Sequence, residues 1–438
     1  MELNHLVMLL ILLGCMASTI PVFMCLFFTS VICFLLYTTL PLDILVQSMF
    51  RAMDNFSLVV VLYFILCGNI MTTGATVDKL IKFANELVSW LPGGLGMAGC
   101  IACGLFGAVS GSTVATVVAL GGFMIPALMA QGYEEKYSVG VMASSGNLGI
   151  IIPPSISMIL YSMITNVSLE GLFLTGFIPG ILIIILVCIY TYFKFRNNTT
   201  IQRLPLPSAS HFFKTLRECI WALFLPIVIF VGIFSGAFTA NEAAVVACVY
   251  AFFLEIFIHK AMTWKQAYRV TVNSAITSAT LLIIVAGATA FGRYLTLENI
   301  PNTVAEAVVH AIKEPWVFLL VVNILLLIVG MFMDVISATL ILGPVLIPLL
   351  VGYNIDAMHF GLLMTVNLAI GYITPPMGVS LYIAGQIAKK DIIYVTKAVM
   401  PFIVIQLIVL FAMTYMPKLV LLLPRLFGYA HAVAIRAL

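Results

Sequence analysis

The sequence predicts an all-α polytopic membrane protein built as an inverted-topology repeat, and three observations carry that prediction. Composition is the first: 63% of the 438 residues are hydrophobic and 8% are charged, against roughly 45–50% and 25% in soluble domains. The 20 basic and 17 acidic side chains cannot cover a chain of this size in water, which sets aside a soluble enzyme, a nucleic-acid binder and a disordered scaffold. The second is charge-free length: Leu6–Leu42, Leu87–Tyr133 and Tyr137–Leu169 contain no Asp, Glu, Lys or Arg. Each run holds one or two passes of about 20 residues, and none alternates as a barrel strand would.

The third is an internal register. Shifting the chain by 222 positions puts Pro126 on Pro348, Pro153-Pro154 on Pro375-Pro376, and Pro179 on Pro401. Ile125, Leu128, Met142, Gly149 and Ile151 meet Ile347, Leu350, Met364, Gly371 and Ile373 in the same ungapped register. Leucine matches arise between any two apolar sequences, whereas paired Pro-Pro matches rarely do at average Pro usage of about 5%. The chain therefore divides into repeats at 1–200 and 215–438, joined by a linker at 201–214.

Within the first repeat the pattern predicts scaffold helices over 5–74, a hairpin over 94–130, a broken helix over 137–165 and a helix over 171–193. The second should carry scaffold helices over 221–295, a hairpin over 316–350, a broken helix over 360–388 and a helix over 392–415. The second hairpin is expected to be interrupted at Gly330–Asp334 and again at Gly343-Pro344 and Pro348, because Pro and Gly disfavour helix interiors. Polar segments at Lys79–Glu86 and Glu298–Glu306 read as interfacial amphipathic helices.

Basic loops favour the cytoplasm. Lys194, Arg196, Arg203, Lys214 and Arg217 place the linker there, and counting passes then puts Lys79, Lys82, Lys136 and Lys389-Lys390 on the same side, with Arg51 as the exception. About five crossings and one re-entrant hairpin per half is an odd number of passes, so the halves have opposite orientations and the C-terminus is expected outside. Glu2 and the apolar stretch continuing to Leu42 do not resemble a cleaved signal. Net charge +3 implies no nucleic acid as partner. Nine cysteines, mostly within apolar runs, read as buried small hydrophobes. Cys100 and Cys103 have the spacing of half a metal site, which nothing completes.

Interrupted helices at membrane depth leave backbone groups unpaired, at several kcal/mol each in lipid. Paired prolines free the preceding carbonyls for a cation, and the half-helix that follows turns its positive N-terminus toward an anion. Gly107, Ser110, Asn147, Gly149, Asp334, Asn367, Gly371 and Thr374 are therefore candidate cation ligands. Ser110, Gly111, Ser112, Asn147, Pro154, Ser155, Thr374 and Pro376 are candidate substrate contacts. Asp334 suits either ion binding or N-capping, Glu242 suits capping, and Arg293 suits snorkelling, with contact to an anion or partner as the alternative. Gly93, Gly94, Gly96 and Gly99 read as close-packing positions.

These residues resemble the large permease subunit (DctM-type) of TRAP, the tripartite ATP-independent periplasmic transporters. Ser110–Gly121 with Ile125-Pro126 is similar to the family's first hairpin, and Gly149 with Ile152–Ser155 to its first break. Phe238–Ala247 resembles a segment at an inter-helix turn. Met333-Asp334, with Gly371 and Thr374–Gly378, resembles the second hairpin and break. Asn147 stands where Thr is common, and Ala240-Asn241 where Pro-Thr is common.

The resemblance implies sodium-coupled uptake of a small organic anion (a carboxylate, sugar acid or sulfonate) across the bacterial inner membrane. It implies Na+ as the coupling ion, elevator-type movement and no enzymatic activity. A small membrane subunit and a periplasmic substrate-binding protein are the implied partners besides the lipid bilayer. The alternative is a stand-alone sodium:dicarboxylate symporter needing no binding protein. Importing a dianion against 100 mV costs ~4.6 kcal/mol, which two sodium ions cancel. No Gly-Lys pair exists in the chain, so no phosphate-binding loop of the GxxxxGK type is present to use ATP.

Overall fold

In the computed structural model, residues 3–18, 20–198, 201 and 205–429 are described, and they contain helices and no strands. Arg203 and the last nine residues, 430–438, lie outside the described residues. The first repeat opens with α1 (Leu3–Ala17), α2 (Val22–Tyr37), α3 (Asp43–Met53), α4 (Ser57–Thr73) and the amphipathic α5 (Thr76–Val88). A hairpin follows: α6 (Gly94–Ser110) descends, and α7 (Thr113–Thr116), a π-helical turn (Val117–Gly121) and α8 (Gly122–Ala130) return as one arm. The broken helix is α9 (Glu135–Ser145), α10 (Leu148–Ile151) and α11 (Ile156–Thr165), and α12 (Leu169–Phe195) closes the repeat.

The second repeat runs in the same order. It comprises α13 (Ala209–Phe234), α14 (Ala240–Phe253) with a π-helical turn (Leu254–Ile258), α15 (Trp264–Leu297) and the short α16 (Ile300–Ala311). The hairpin arms are α17 (Pro315–Phe332) and α18 (Val335–Gly352), the broken helix is α19 (Ala357–Gly371) and α20 (Val379–Ala388), and α21 (Ile392–Tyr415) follows. Two short helices, α22 (Pro417–Val420) and α23 (Leu422–Leu426), end the described chain. Among the described residues nine helices are long and apolar enough to cross a membrane, or up to ten if α3 and α4, bent by 52°, form one span. Apolar side chains such as Ile220, Phe224, Ile227 and Val231 are exposed along α13, as a surface facing lipid requires.

Several boundaries differ from the sequence-based expectation. Helix α13 starts at Ala209, inside the segment assigned to the linker, where the Ser208 hydroxyl caps it by accepting the His211 N–H at 3.2 Å. Pro344 and Pro348 do not interrupt the second hairpin; both lie within α18. Each removes a single N–H, and their spacing of four puts both on one face, so the helix continues past them. At 34 residues, α15 is about 51 Å long, far more than a ~30 Å hydrocarbon core needs.

The repeat is visible in packing as well as in order. Helix α11 of the first half lies on α18 of the second, while α20 of the second lies on the returning arm of the first hairpin. A Cβ on Gly121 would meet Ile387 Cδ1 at 3.5 Å, and one on Gly343 would collide with Ile164 Cδ1. Gly121 and Gly343 are equivalent in the 222-residue register, and each faces an isoleucine of the other half.

Ion pairs gather basic residues at one end of the bundle. Lys194 reaches Glu134 at 2.9 Å, and Lys390 reaches Glu135 at 3.0 Å. The Glu135 carboxylate beside it raises the Lys390 ammonium above its ordinary value. Lys82 of α5 pairs with Glu218 of α13. Helices α2, α3 and α4 pack on α15, and α14 packs on α4. The fully buried Glu255 seats α5 there: its carboxylate accepts the N–H groups of Ala75 (2.8 Å) and Thr76 (3.0 Å) and the Thr76 hydroxyl. A negative group at the start of a helix complements its dipole.

Candidate functional site at the paired helix breaks

In the first half, α10 stops because Pro153 and Pro154 follow it, joined by a cis peptide bond. Neither proline has an N–H to return to the carbonyls of Gly149 and Ile150. Ser155 then caps α11, its hydroxyl accepting the Met158 N–H at 3.5 Å, so its own hydrogen stays available to donate. The hairpin tip closes on this break. Gly111, with φ +62, ends α6, and a Cβ there would meet the Pro154 carbonyl oxygen at 2.7 Å; the Ile156 N–H donates to Gly111 O at 3.5 Å. Ser112 caps α7, and Thr116 donates to Ser112 O at 2.8 Å while lying 3.2 Å from the Ser110 hydroxyl. Gly107 crosses Gly149, where an added Cβ would approach the Gly149 Cα to 2.8 Å. Ser110, Gly111, Ser112, Gly149, Pro154 and Ser155 are thus brought together.

Asn147 sits behind them, fully buried. Its amide nitrogen donates to Gln406 Oε1 at 2.9 Å, and Gln406 Nε2 in turn donates to Ser144 O at 2.9 Å. The Asn147 Oδ1 has no protein partner.

The second half repeats this plan. Gly330 crosses Gly371, where a Cβ on Gly330 would lie 3.2 Å from the Gly371 Cα. Pro375 and Pro376 are again joined cis. The Thr374 hydroxyl donates to Ile370 O at 2.7 Å, and the Ser380 N–H donates to Tyr372 O at 3.0 Å, across the break. Thr374 has therefore spent its hydrogen and offers only lone pairs. Asn367 donates to the backbone and side-chain oxygens of Asn323 at 3.1 and 2.9 Å, and its own Oδ1 is left without a partner. Asp334 caps α18, its Oδ1 accepting the Ser337 N–H at 2.9 Å. The breaks differ in access: Pro153, Pro154 and Ser155 are buried, whereas Pro376 and Met377 are exposed.

Hydroxyl groups join the halves between the breaks. Ser157 of α11 lies 3.3 Å from Thr339 of α18 and 3.3 Å from Thr365 of α19, all three buried. The sequence reading passed over Ser157, Thr339, Thr365, Asn323 and Gln406. A lone Asn or Gln inside an apolar span is a readable signal, and Asn323 and Gln406 carry it; the hydroxyls do not stand out.

The donor set fits a hard monovalent cation. Each break offers one amide oxygen whose nitrogen is already committed, together with neutral carbonyl and hydroxyl oxygens, as cation sites at unwound transporter helices do. Among the described residues no three His, Cys, Asp or Glu side chains gather as a metal cage, and Cys100 and Cys103 are buried free thiols. Glu242 closes a capping box with Thr239, accepting its N–H at 2.8 Å.

A family profile described as "Tripartite ATP-independent periplasmic transporter, DctM component" matches residues 9–419. The chain belongs to this family. The C4-dicarboxylate TRAP transporter large permease protein DctM of Rhodobacter capsulatus is 38% identical over 95% of this chain and 98% of its own length. The isethionate TRAP transporter permease protein DctMQ of Oleidesulfovibrio alaskensis is 35% identical over 87% of this chain and 60% of its own. Among solved structures, the Alcanivorax borkumensis YdaH transporter superposes with a TM-score of 0.57 over 90% of both chains at 13% identity, a likeness of fold. The chain is therefore a membrane protein and a DctM component, and its relatives are transporter permeases. In this DctM component Ser110, Asn147, Ser155, Asn367 and the Ser157, Thr339 and Thr365 hydroxyls are buried at or between the two breaks.

Proposed function

We propose that this DctM component performs sodium-coupled uptake of a small organic anion across the bacterial inner membrane. The observation that carries the reading is the matched pair of Pro-Pro breaks, each preceded by a buried asparagine whose oxygen no protein group claims. At the first break Ser110, Asn147, Gly107 and Gly149 would hold one sodium ion. At the second, Asn367, Gly371 and Thr374 would hold another. Ser112, Pro154, Ser155 and Pro376 face the substrate, with Ser155 donating its hydrogen to an anionic oxygen near the N-terminus of α11. Two co-transported cations cancel the ~4.6 kcal/mol electrical cost of a dianion.

The hairpins and broken helices move as a unit against α2–α4 and α13–α15, with the two repeats inverted and the basic end of the bundle in the cytoplasm. A small membrane subunit binds the scaffold, and a periplasmic binding protein delivers the anion. The relative named DctMQ supports the first partnership, since this chain covers only 60% of it. The deciding experiment is uptake into proteoliposomes holding the complete transporter, with sodium or N-methylglucamine outside. Uptake of succinate, isethionate or sialic acid that requires sodium and the binding protein supports the reading. Sodium-driven uptake without a binding protein favours the stand-alone symporter, and uptake indifferent to sodium overturns coupling.

A further inference from the structure

Away from the breaks, a cavity of about 450 Å³ opens where α3 and α15 meet α11 and α18. Arg51 and Arg293 line one side, and Ile164, Leu340 and Pro344 the other. Both guanidiniums are exposed, neither is in an ion pair, and no Asp or Glu lines the cavity among the described residues. The remaining polar lining has no hydrogen to give. Ser48, Thr289 and Thr296 donate theirs to carbonyls of their own helices at 2.7, 2.9 and 2.8 Å. The arginines are thus the donors left in the cavity, and they are permanently charged.

The repeat supplies a comparison within the molecule. The interval between halves widens from 222 at the breaks to 224 at the scaffold, where α4 ends at Thr73 and α15 at Leu297. Across this interval Arg293 corresponds to Asn69, and Arg51 to Ala275, the neighbour of Ser274. Asn69 and Ser274 close on each other through a 2.8 Å hydrogen bond. Where one half has the neutral, hydrogen-bonded Asn69, the other therefore has Arg293, which together with Arg51 has no ion-pair partner among the described residues. Snorkelling accounts for one arginine at a helix end; it does not account for two lining the same cavity with no counter-ion.

Resting on the uptake reading above, we propose that the Arg51–Arg293 cavity is a first acceptance site for the anionic head of the substrate, occupied before the helix breaks are reached. Two guanidinium forks match the paired oxygens of a carboxylate or sulfonate, and the lack of hydroxyl donors makes the site select for charge and not for the rest of the substrate. Its size suits a small molecule. Its walls belong to both the scaffold and the hairpin unit, with Ile164, the residue over Gly343, in its lining.

The test uses the complete transporter in proteoliposomes, with Arg51→Gln, Arg293→Gln, the double variant and both Arg→Lys variants. For succinate and isethionate the double variant should raise KM about tenfold, with Vmax and half-saturating sodium unchanged and Arg→Lys intermediate. An unchanged KM overturns the proposal. So does a shift confined to the binding-protein concentration dependence, which would mark a protein-docking site. An effect present with phosphatidylglycerol and absent in pure phosphatidylcholine, which would mark a lipid headgroup site, also overturns it. A second readout is independent of transport. A Thr289→Cys thiol should react faster with an anionic methanethiosulfonate than with a cationic one, relative to the parent chain, and the double variant should lower that ratio about tenfold. That preference without sodium-driven uptake would sink the uptake reading and spare the site, whereas uptake without it would do the reverse.

Discussion

Asn147 donates its amide nitrogen to Gln406 at 2.9 Å and keeps its carbonyl oxygen free of any protein partner. The hydrogen bond thereby fixes which end of the amide faces the break. Asn367 is held in the same way by Asn323, so both breaks have an oxygen oriented by a residue on a neighbouring helix.

Replacing Asn147 by Leu removes that oxygen and should raise half-saturating sodium about tenfold or more, since hydrogen-bond and ion contacts of this kind contribute 1.5–3 kcal/mol. Gln406→Leu should shift the same parameter and also destabilise the fold by about 1–3 kcal/mol, because it strands the buried Asn147 nitrogen. Uptake titrated with sodium, alongside thermal unfolding in detergent, separates the two effects.

Thr374 offers lone pairs and no hydrogen. Thr374→Ser should therefore keep sodium-dependent uptake, and Thr374→Val should lose most of it while remaining inserted in the membrane. Equal activity of the two variants would contradict a ligand role.

Asp334 caps α18, and Asn caps as well as Asp. Asp334→Asn should retain both stability and sodium dependence, whereas Asp334→Ala should lower stability by about 1 kcal/mol. A collapse of sodium dependence in Asp334→Asn with stability intact would instead make the carboxylate a ligand.

The glycine crossings set a steric test. A methyl at Gly371 would run into the backbone of Gly330, where neither chain can give way, so Gly371→Ala should cost at least 1–3 kcal/mol. Gly122, also helical, has nothing within 4 Å of its added carbon, and Gly122→Ala should be neutral or stabilising by up to about 1 kcal/mol. Fluorescence-detected unfolding of the two variants side by side decides it.

Glu255 holds two backbone N–H groups and a hydroxyl at the start of α5. Glu255→Ala should cost about 3 kcal/mol by orphaning those donors, with Glu255→Gln milder. Protease accessibility of α5 should rise in step.

Much of this architecture was legible because double prolines leave an unmistakable register. Pro153-Pro154 and Pro375-Pro376 remove two consecutive N–H groups, so they stop a helix wherever they occur, and both do so here. Single prolines misled: Pro344 and Pro348 read as interruptions yet lie inside α18, because one missing hydrogen bond does not end a helix that its neighbours support. Gln406 and Asn323 were readable as polar residues in apolar runs, but sequence spacing cannot say that their partners lie 259 and 44 positions away. Ser157, Thr339 and Thr365 were invisible for a similar reason. Each looks like an ordinary hydroxyl until the two halves of the chain bring Thr339 and Thr365 each 3.3 Å from Ser157.

The exchanged seating of Ile164 on Gly343 and Ile387 on Gly121 bears on how the chain is made. When the first 200 residues have left the ribosome, α11 still lacks α18 and α19, and the arm ending at Ala130 still lacks α20. Both stay incomplete until α18 and α20 are synthesised. A gene split in the linker should therefore yield two fragments that are degraded when expressed singly and rescued when expressed together.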